Sequence, residues 1–167
     1  AHGAQATRAA VAANLAAPAA VNRLLAEDDE EDVRAELARK IARLMPGLST
    51  RESADVFALT LETLEVLARD AAVRVRAVLA EEIKHLDCVP HALVKRLAQD
   101  LEDIVAGPIL EYSPLLSDAD LIEIIAWGQV TQSLRAIAQR RPLSGDVSHH
   151  LVQSLDVPAV AALLVNP

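Results

Sequence analysis

What most constrains this chain is a segment that occurs twice with its apolar residues at helical spacing. Val33 to Leu44 reads V-R-A-E-L-A-R-K-I-A-R-L, and Val75 to Leu86 reads V-R-A-V-L-A-E-E-I-K-H-L. In both copies the large apolar residues fall at i, i+4, i+8 and i+11: Val33, Leu37, Ile41 and Leu44, then Val75, Leu79, Ile83 and Leu86. That spacing draws one stripe along an α-helix, whereas a strand would alternate. Upstream of each copy stands Leu-Ala-x-Asp, as Leu25-Ala26-Glu27-Asp28 and Leu67-Ala68-Arg69-Asp70, and a third, Leu97-Ala98-Gln99-Asp100, precedes Val105. The unit is therefore a helix ending in Leu-Ala, a tight turn opened by Asp, and a second helix beginning near Val-Arg.

Each polar residue in this unit has a physical role. The carboxylates of Asp28, Asp70 and Asp100 are placed to accept hydrogen bonds from the free N–H groups of the second helix, whose positive end their charge suits. Arg34 and Arg76 stand one position past the start of the stripe and are placed to reach the turn Asp of a neighbouring unit. A short Leu-Ala hairpin cannot bury its apolar face alone, so the expected architecture is all-α, an α-solenoid of stacked helical hairpins. The D-x-x-x-x-V-R pattern resembles HEAT and armadillo-like repeats. Together with Ser113-Pro114-Leu115-Leu116-Ser117-Asp118-Ala119-Asp120-Leu121-Ile122-Glu123-Ile124-Ile125, the repeats resemble an uncharacterised family of alphaproteobacterial proteins described only as a domain of unknown function. That resemblance implies a helical-repeat fold and a bacterial source, and it supplies no activity.

The third copy departs from the rule: Ala106 stands where the Arg would be, and Gly107-Pro108 falls where the other copies continue their helix. Proline removes a backbone donor, so the helix is expected to bend or end near Ala106. One helical-repeat domain over 1–167 is thus expected, with hairpins over 1–106, a joint over 107–116 and further hairpins over 117–167. The Asp28-to-Asp70 spacing exceeds that from Asp70 to Asp100, which assigns the extra residues to a Pro46-Gly47 turn and a longer helix after it, with Ser49 and Glu52 as a capping box. Beyond the joint, Ser117 with Asp118 and Asp120 marks a helix start, stapled by Leu116 and Leu121 and ended by Gly128. Further helices are expected from about Gln129 to Arg140, from Ser144 to Leu155 and from Pro158 onward. The last segment closes on an apolar run, Val160, Leu163, Leu164 and Val165, without the polar capping helix a solenoid normally has. A piece of a longer protein, or an end that pairs with another chain, is the expectation.

Composition removes several function classes. Phe57, Tyr112 and Trp127 are the only aromatic rings besides histidine in 167 residues, too few for a base-stacking platform, a sugar shelf or an aromatic cage. A net charge of −8 is the wrong sign for binding nucleic acid or anionic membrane. The longest uncharged run, Ala9 to Asn22, falls short of a membrane span, and the alanine-rich start over 1–20 lacks the apolar core of a signal peptide and is read as a helix. The lone Cys88 allows no internal disulfide, which suits a reducing cytoplasm.

Candidate chemistry is sparse. His85, Cys88 and His91 form H-x-x-C-x-x-H, the one metal-like spacing, although Pro90 interrupts it and a lone cysteine at a turn is more often a small buried hydrophobe. His149 and His150 are adjacent and point about 100° apart on a helix, so they chelate poorly together. The acidic run from Glu27 to Asp32 suits a helix N-terminus, and Arg135, Arg140 and Arg141 suit helix C-termini more readily than a phosphate site. Asp118, Asp120 and Glu123 could form a carboxylate pair, but a cap explains them with less assumption. No glycine-rich phosphate loop, G-x-S-x-G elbow or H-E-x-x-H is present. The His-Glu pairs of helical-repeat hydroxylases are absent as well. The expected function is a non-catalytic scaffold holding a protein or peptide, with no cofactor; the alternative is a helical-repeat enzyme or metal-dependent sensor with chemistry in the concave groove.

Overall fold

The computed structural model describes residues 2–51, 54–127 and 131–166. It is all-helical over these residues, with eleven helices, and it divides into two compact units, 1–83 and 84–167.

The first unit holds α1 (His2–Ala13), α2 (Ala19–Leu25), α3 (Glu31–Arg51), α4 (Ala54–Leu67) and α5 (Val73–Ile83). Helix α3 packs against α1 on one side and α5 on the other, while α2 packs on α4. Every second helix therefore shares a layer. The stripe that drives this is buried as its spacing requires: Val33, Leu37 and Ile41 on α3 and Val75, Leu79 and Ile83 on α5 are fully excluded from water. Its fourth members differ from expectation. Met45, at i+4 from Ile41, takes the core position and Leu44 is only half-buried, while Leu86 lies beyond the end of α5.

The expected turn at Pro46-Gly47 is not formed, because α3 runs through both residues to Arg51. Proline in a helix interior costs about 3 kcal/mol. Here Met45 and Leu48 are buried on the core side and Pro46 is exposed, so the core contacts outweigh one backbone bond missing at the surface. The residues that lengthen this repeat thus extend α3 itself. The capping box at Ser49 and Glu52 lies outside the described residues, as does the helix stop at Gly128. The alanine-rich start is also more than one helix: α1 ends at Ala13, Asn14 Oδ1 accepts from the Ala16 N–H (3.0 Å), and Pro18 opens α2.

The turn aspartates act one step earlier than expected. Asp28 Oδ1 accepts from the Glu30 N–H (3.0 Å) and Asp70 Oδ1 from the Ala72 N–H (2.8 Å). The carbonyls of Glu30 and Ala72 then accept the first backbone bonds of α3 and α5, from Val33 and Arg34 and from Val75 and Arg76. So each Asp folds the turn that presents the cap rather than capping the helix N–H groups itself. The arginines connect these turns. Arg34 Nη1 donates to the Asp28 carbonyl (2.6 Å) while its Nε and Nη2 fork onto the Asp70 carboxylate, the latter at 3.0 Å. Arg76 Nη1 repeats the first contact on the Asp70 carbonyl (2.7 Å). Arg8 on α1 forks onto Asp28 with Nε at 2.6 Å and Nη2 at 3.2 Å. The Arg8 guanidinium holds the Asp28 carboxyl below its ordinary range against burial, with help from the Glu30 N–H.

The second unit holds α6 (His91–Ala98), α7 (Asp103–Tyr112), α8 (Asp118–Trp127), α9 (Thr131–Ala138), α10 (Gly145–Gln153) and α11 (Val157–Leu164). Helix α9 packs against α7 and α11, and α8 packs on α10, so alternate helices again share a layer. Asp100 Oδ1 accepts from the Glu102 N–H (3.0 Å), and the Glu102 carbonyl opens α7. The helix does not end at Ala106. It continues through Pro108 to Tyr112, with Ile109 and Leu110 fully buried beyond the proline. Gly107 lacks the Cβ that would crowd the proline ring, and no neighbouring element uses the space it leaves. The chain instead breaks at Ser113, whose extended backbone leads to the start of α8.

Replacing Arg34 with alanine should lower stability by about 2–4 kcal/mol, because it leaves the nearly buried Asp70 carboxylate without its cation. Replacing Arg23, whose Glu27 partner is exposed, should change it by less than about 0.5 kcal/mol. Urea unfolding of both variants measures the contrast, and equal effects would show that the fork between turns does not hold the unit.

Candidate functional site

An open groove of about 1150 Å³ lies in the second unit. Its lining comes from His85, from the end of α7 and the following turn (Glu111, Tyr112, Pro114), and from the start of α8 (Asp118, Leu121). The end of α9 and the residues after it add Arg135, Gln139, Arg140, Arg141, Pro142 and Leu143, and α11 with the two residues after it adds Pro158, Ala161, Ala162, Val165 and Asn166.

The three arginines of this groove are not equivalent. Arg140 donates from Nη1 to the Leu110 carbonyl (2.7 Å) and from Nη2 to the Ser113 carbonyl (2.8 Å), satisfying acceptors that the end of α7 leaves without partners. Burial pushes its guanidinium pKa down, partly offset by the Asp118 carboxylate. Arg135 and Arg141 are exposed and have no ion-pair or hydrogen-bond partner among the described residues. Asn166 closes this end: its Nδ2 donates to the carbonyls of Ala138 and Arg140, both at 2.9 Å. Tyr112, half-exposed, lies against the His85 ring edge-on (5.1 Å between centroids) and beneath Lys84 Nζ (4.6 Å).

A second polar cluster joins α6 to α8. Ser117 caps α8 by accepting the Asp120 N–H (3.2 Å), and Asp120 Oδ2 accepts in return from the Ser117 N–H (3.0 Å) and hydroxyl. This is a reciprocal capping box with Asp in the Glu position, and Leu116 and Leu121, the expected staple, are both buried. The same carboxylate takes His91 Nε2 at 2.9 Å and Lys95 Nζ at 3.3 Å, and Lys95 also reaches Glu123 Oε2 at 2.7 Å. Burial would raise the Asp120 pKa, but the bonds from Ser117, His91 and Lys95 hold it well below the ordinary carboxylate range. Asp120 stands between Ser117 and His91, so no imidazole is positioned to activate the hydroxyl as in a nucleophile–base pair.

The metal-like triplet is not assembled. His85 rests on Tyr112, His91 on Asp120, and Cys88 lies half-buried with its thiol pushed up by burial. Among the described residues no group of three His, Cys, Asp or Glu side chains could hold a metal ion. Helix α5 ends at Ile83, before His85, which removes the helical spacing on which that reading rests. Of the residues singled out by repeat position, Asp28, Arg34 and Asp70 come together, Arg76 meets the Asp70 carbonyl, and Ser117 forms its box. Arg8 belongs to the same pattern although its surroundings match the repeat only weakly. Thr7-Arg8-Ala9-Ala10-Val11-Ala12 matches Val33-Arg34-Ala35-Glu36-Leu37-Ala38 in the arginine and two alanines.

Residues 105–167 are similar to a family described as an uncharacterised protein conserved in bacteria (DUF2336). That segment carries every groove-lining residue except His85. No curated protein and no solved structure matches the chain. No helix among the described residues is long and apolar enough to cross a membrane.

Two outcomes follow from these contacts. Because the folded Asp120 carboxyl titrates below its unfolded value, its contribution is complete above about pH 4, declines below that, and vanishes once pH passes the folded value. Asp120→Asn should therefore cost about 1–3 kcal/mol at pH 7, and the gap to the parent protein should narrow at pH 3; a constant gap in urea midpoints would contradict the charge reading. Arg140→Met should cost about 1–3 kcal/mol through the carbonyls left unpaired, whereas Arg135→Ala should stay within about 0.5 kcal/mol. Thermal unfolding of the two variants separates these roles.

Proposed function

We propose that this chain is a non-catalytic interaction module of the HEAT/armadillo kind, an α-solenoid from an alphaproteobacterium that works in the cytoplasm and holds a protein or peptide in the groove of its second unit. The observation that carries this reading is the groove itself: about 1150 Å³, open, and lined by two exposed arginines that no carboxylate among the described residues engages. That volume exceeds the roughly 300–1,000 Å³ of drug-sized ligand sites and suits a stretch of polypeptide. The solenoid assignment is supported by the layering in each unit, where α3 meets α1 and α5, and α9 meets α7 and α11, as stacking of successive hairpins requires. A catalytic or metal-sensing groove would draw on His85, Cys88 and His91 or on Asp120 and Glu123. His85, His91, Asp120 and Glu123 are engaged in ring contacts, ion pairs and a helix cap.

The immobilised chain, exposed to a bacterial soluble lysate at moderate salt, should retain one protein in near-stoichiometric amount, and the Arg135→Glu, Arg141→Glu double variant should retain less than about a tenth of it. A blank eluate from the parent chain, or retention identical in the variant, overturns the placement of the partner in this groove.

A further inference from the structure

We infer that the groove of the second unit receives an acidic amphipathic segment of a partner protein, its carboxylates on Arg135 and Arg141 and its apolar side chains on α11. This rests on the interaction-module reading and adds the chemistry of the occupant. The unit has ten Asp and Glu residues against six Lys and Arg, yet three of the six, Arg135, Arg140 and Arg141, line this one groove. Arg140 is fixed from behind by the Leu110 and Ser113 carbonyls, while the other two keep all their donors. An arginine fork is built to take a carboxylate with two hydrogen bonds. The wall contributed by α11 and the residue after it is uncharged and small, with Ala161 and Ala162 leaving room for larger side chains and Val165 80% exposed.

The same lining argues against a polyphosphate. Glu111 and Asp118 share the groove and would repel a ligand that is anionic along its whole length. They tolerate one whose charges are spaced by apolar residues. A peptide with that alternation satisfies both walls, and nucleic acid satisfies neither the acids nor the apolar surface.

Fluorescence anisotropy with the full chain tests this, using a labelled peptide that repeats Glu-Leu-Ala-Glu, its Gln-for-Glu counterpart, and inorganic polyphosphate as competitor. The acidic peptide should bind at least about ten-fold tighter than the Gln peptide. Arg135→Glu with Arg141→Glu should remove that preference without lowering the melting temperature, and Val165→Asp should weaken both peptides. Equal binding of the two peptides overturns the acidic preference while leaving a peptide-binding groove in place. Peptide binding indifferent to all three substitutions moves the site elsewhere and overturns the inference. Displacement of the acidic peptide by polyphosphate reassigns the arginines to phosphate and overturns it also. If no peptide binds while the lysate partner is still captured through this groove, the inference fails and the module reading stands.

Discussion

Arg34 is the residue on which the order of the first unit depends. One guanidinium touches two turns: its Nη1 closes on the carbonyl of Asp28, in its own hairpin, and its Nε and Nη2 close on the carboxylate of Asp70, in the next. Apolar burial alone is indifferent to a sliding of one hairpin along another, since leucine stripes pack in several registers. A two-pronged link from a planar guanidinium is not indifferent, because both forks are satisfied in only one register. The pair is nearly buried, so its net energy is reduced by desolvation, and its contribution is as much to uniqueness as to stability. Arg8 and Asp28 repeat the link one hairpin earlier.

The second unit solves the same problem with different residues. With Ala106 at the arginine position, α7 carries no such fork, and its far end is held instead by Arg140, which takes the Leu110 and Ser113 carbonyls. The α6 to α8 junction is held by Lys95 and His91 on Asp120. This exchange matters for function. An arginine spent on backbone carbonyls is not available to a ligand, so among the arginines of the groove Arg135 and Arg141 are the ones left for that purpose.

The parts of this molecule that could be read from the sequence are those where one local period decides the outcome. Val33, Leu37 and Ile41, with the Asp and Arg at fixed offsets, need no knowledge of the rest of the chain. The prolines show the converse. At Pro46 and Pro108 the local signal favours a stop, but Met45 and Leu48 on either side of the first, and Ile109 and Leu110 beyond the second, are buried, and that burial is a property of helices distant in sequence. For His85, Cys88 and His91 the local spacing is equally silent on long-range contacts: α5 ends at Ile83, and the partners of His85 and His91 are Tyr112 and Asp120, both distant in sequence. The groove is illegible in the sequence because its walls come from well-separated segments, and nothing near Arg135 announces that Val165 shares its lining.

A chain of net charge −8 with an arginine-lined groove imposes a condition on its partner. An acidic segment approaching from a distance meets a repulsive field, screened over about 8–10 Å at physiological ionic strength. Attraction begins only inside that range, where Arg135 and Arg141 lie closer to the ligand than the acids elsewhere on the surface. Encounter is therefore not steered, and discrimination rests on contact: the spacing of carboxylates that fits two guanidinium groups and the apolar side chains that fit against α11. A uniformly acidic chain gains the first and pays the repulsion throughout, whereas a segment with few, well-placed acids gains both walls at lower repulsion. The groove thus favours an amphipathic sequence over a merely acidic one.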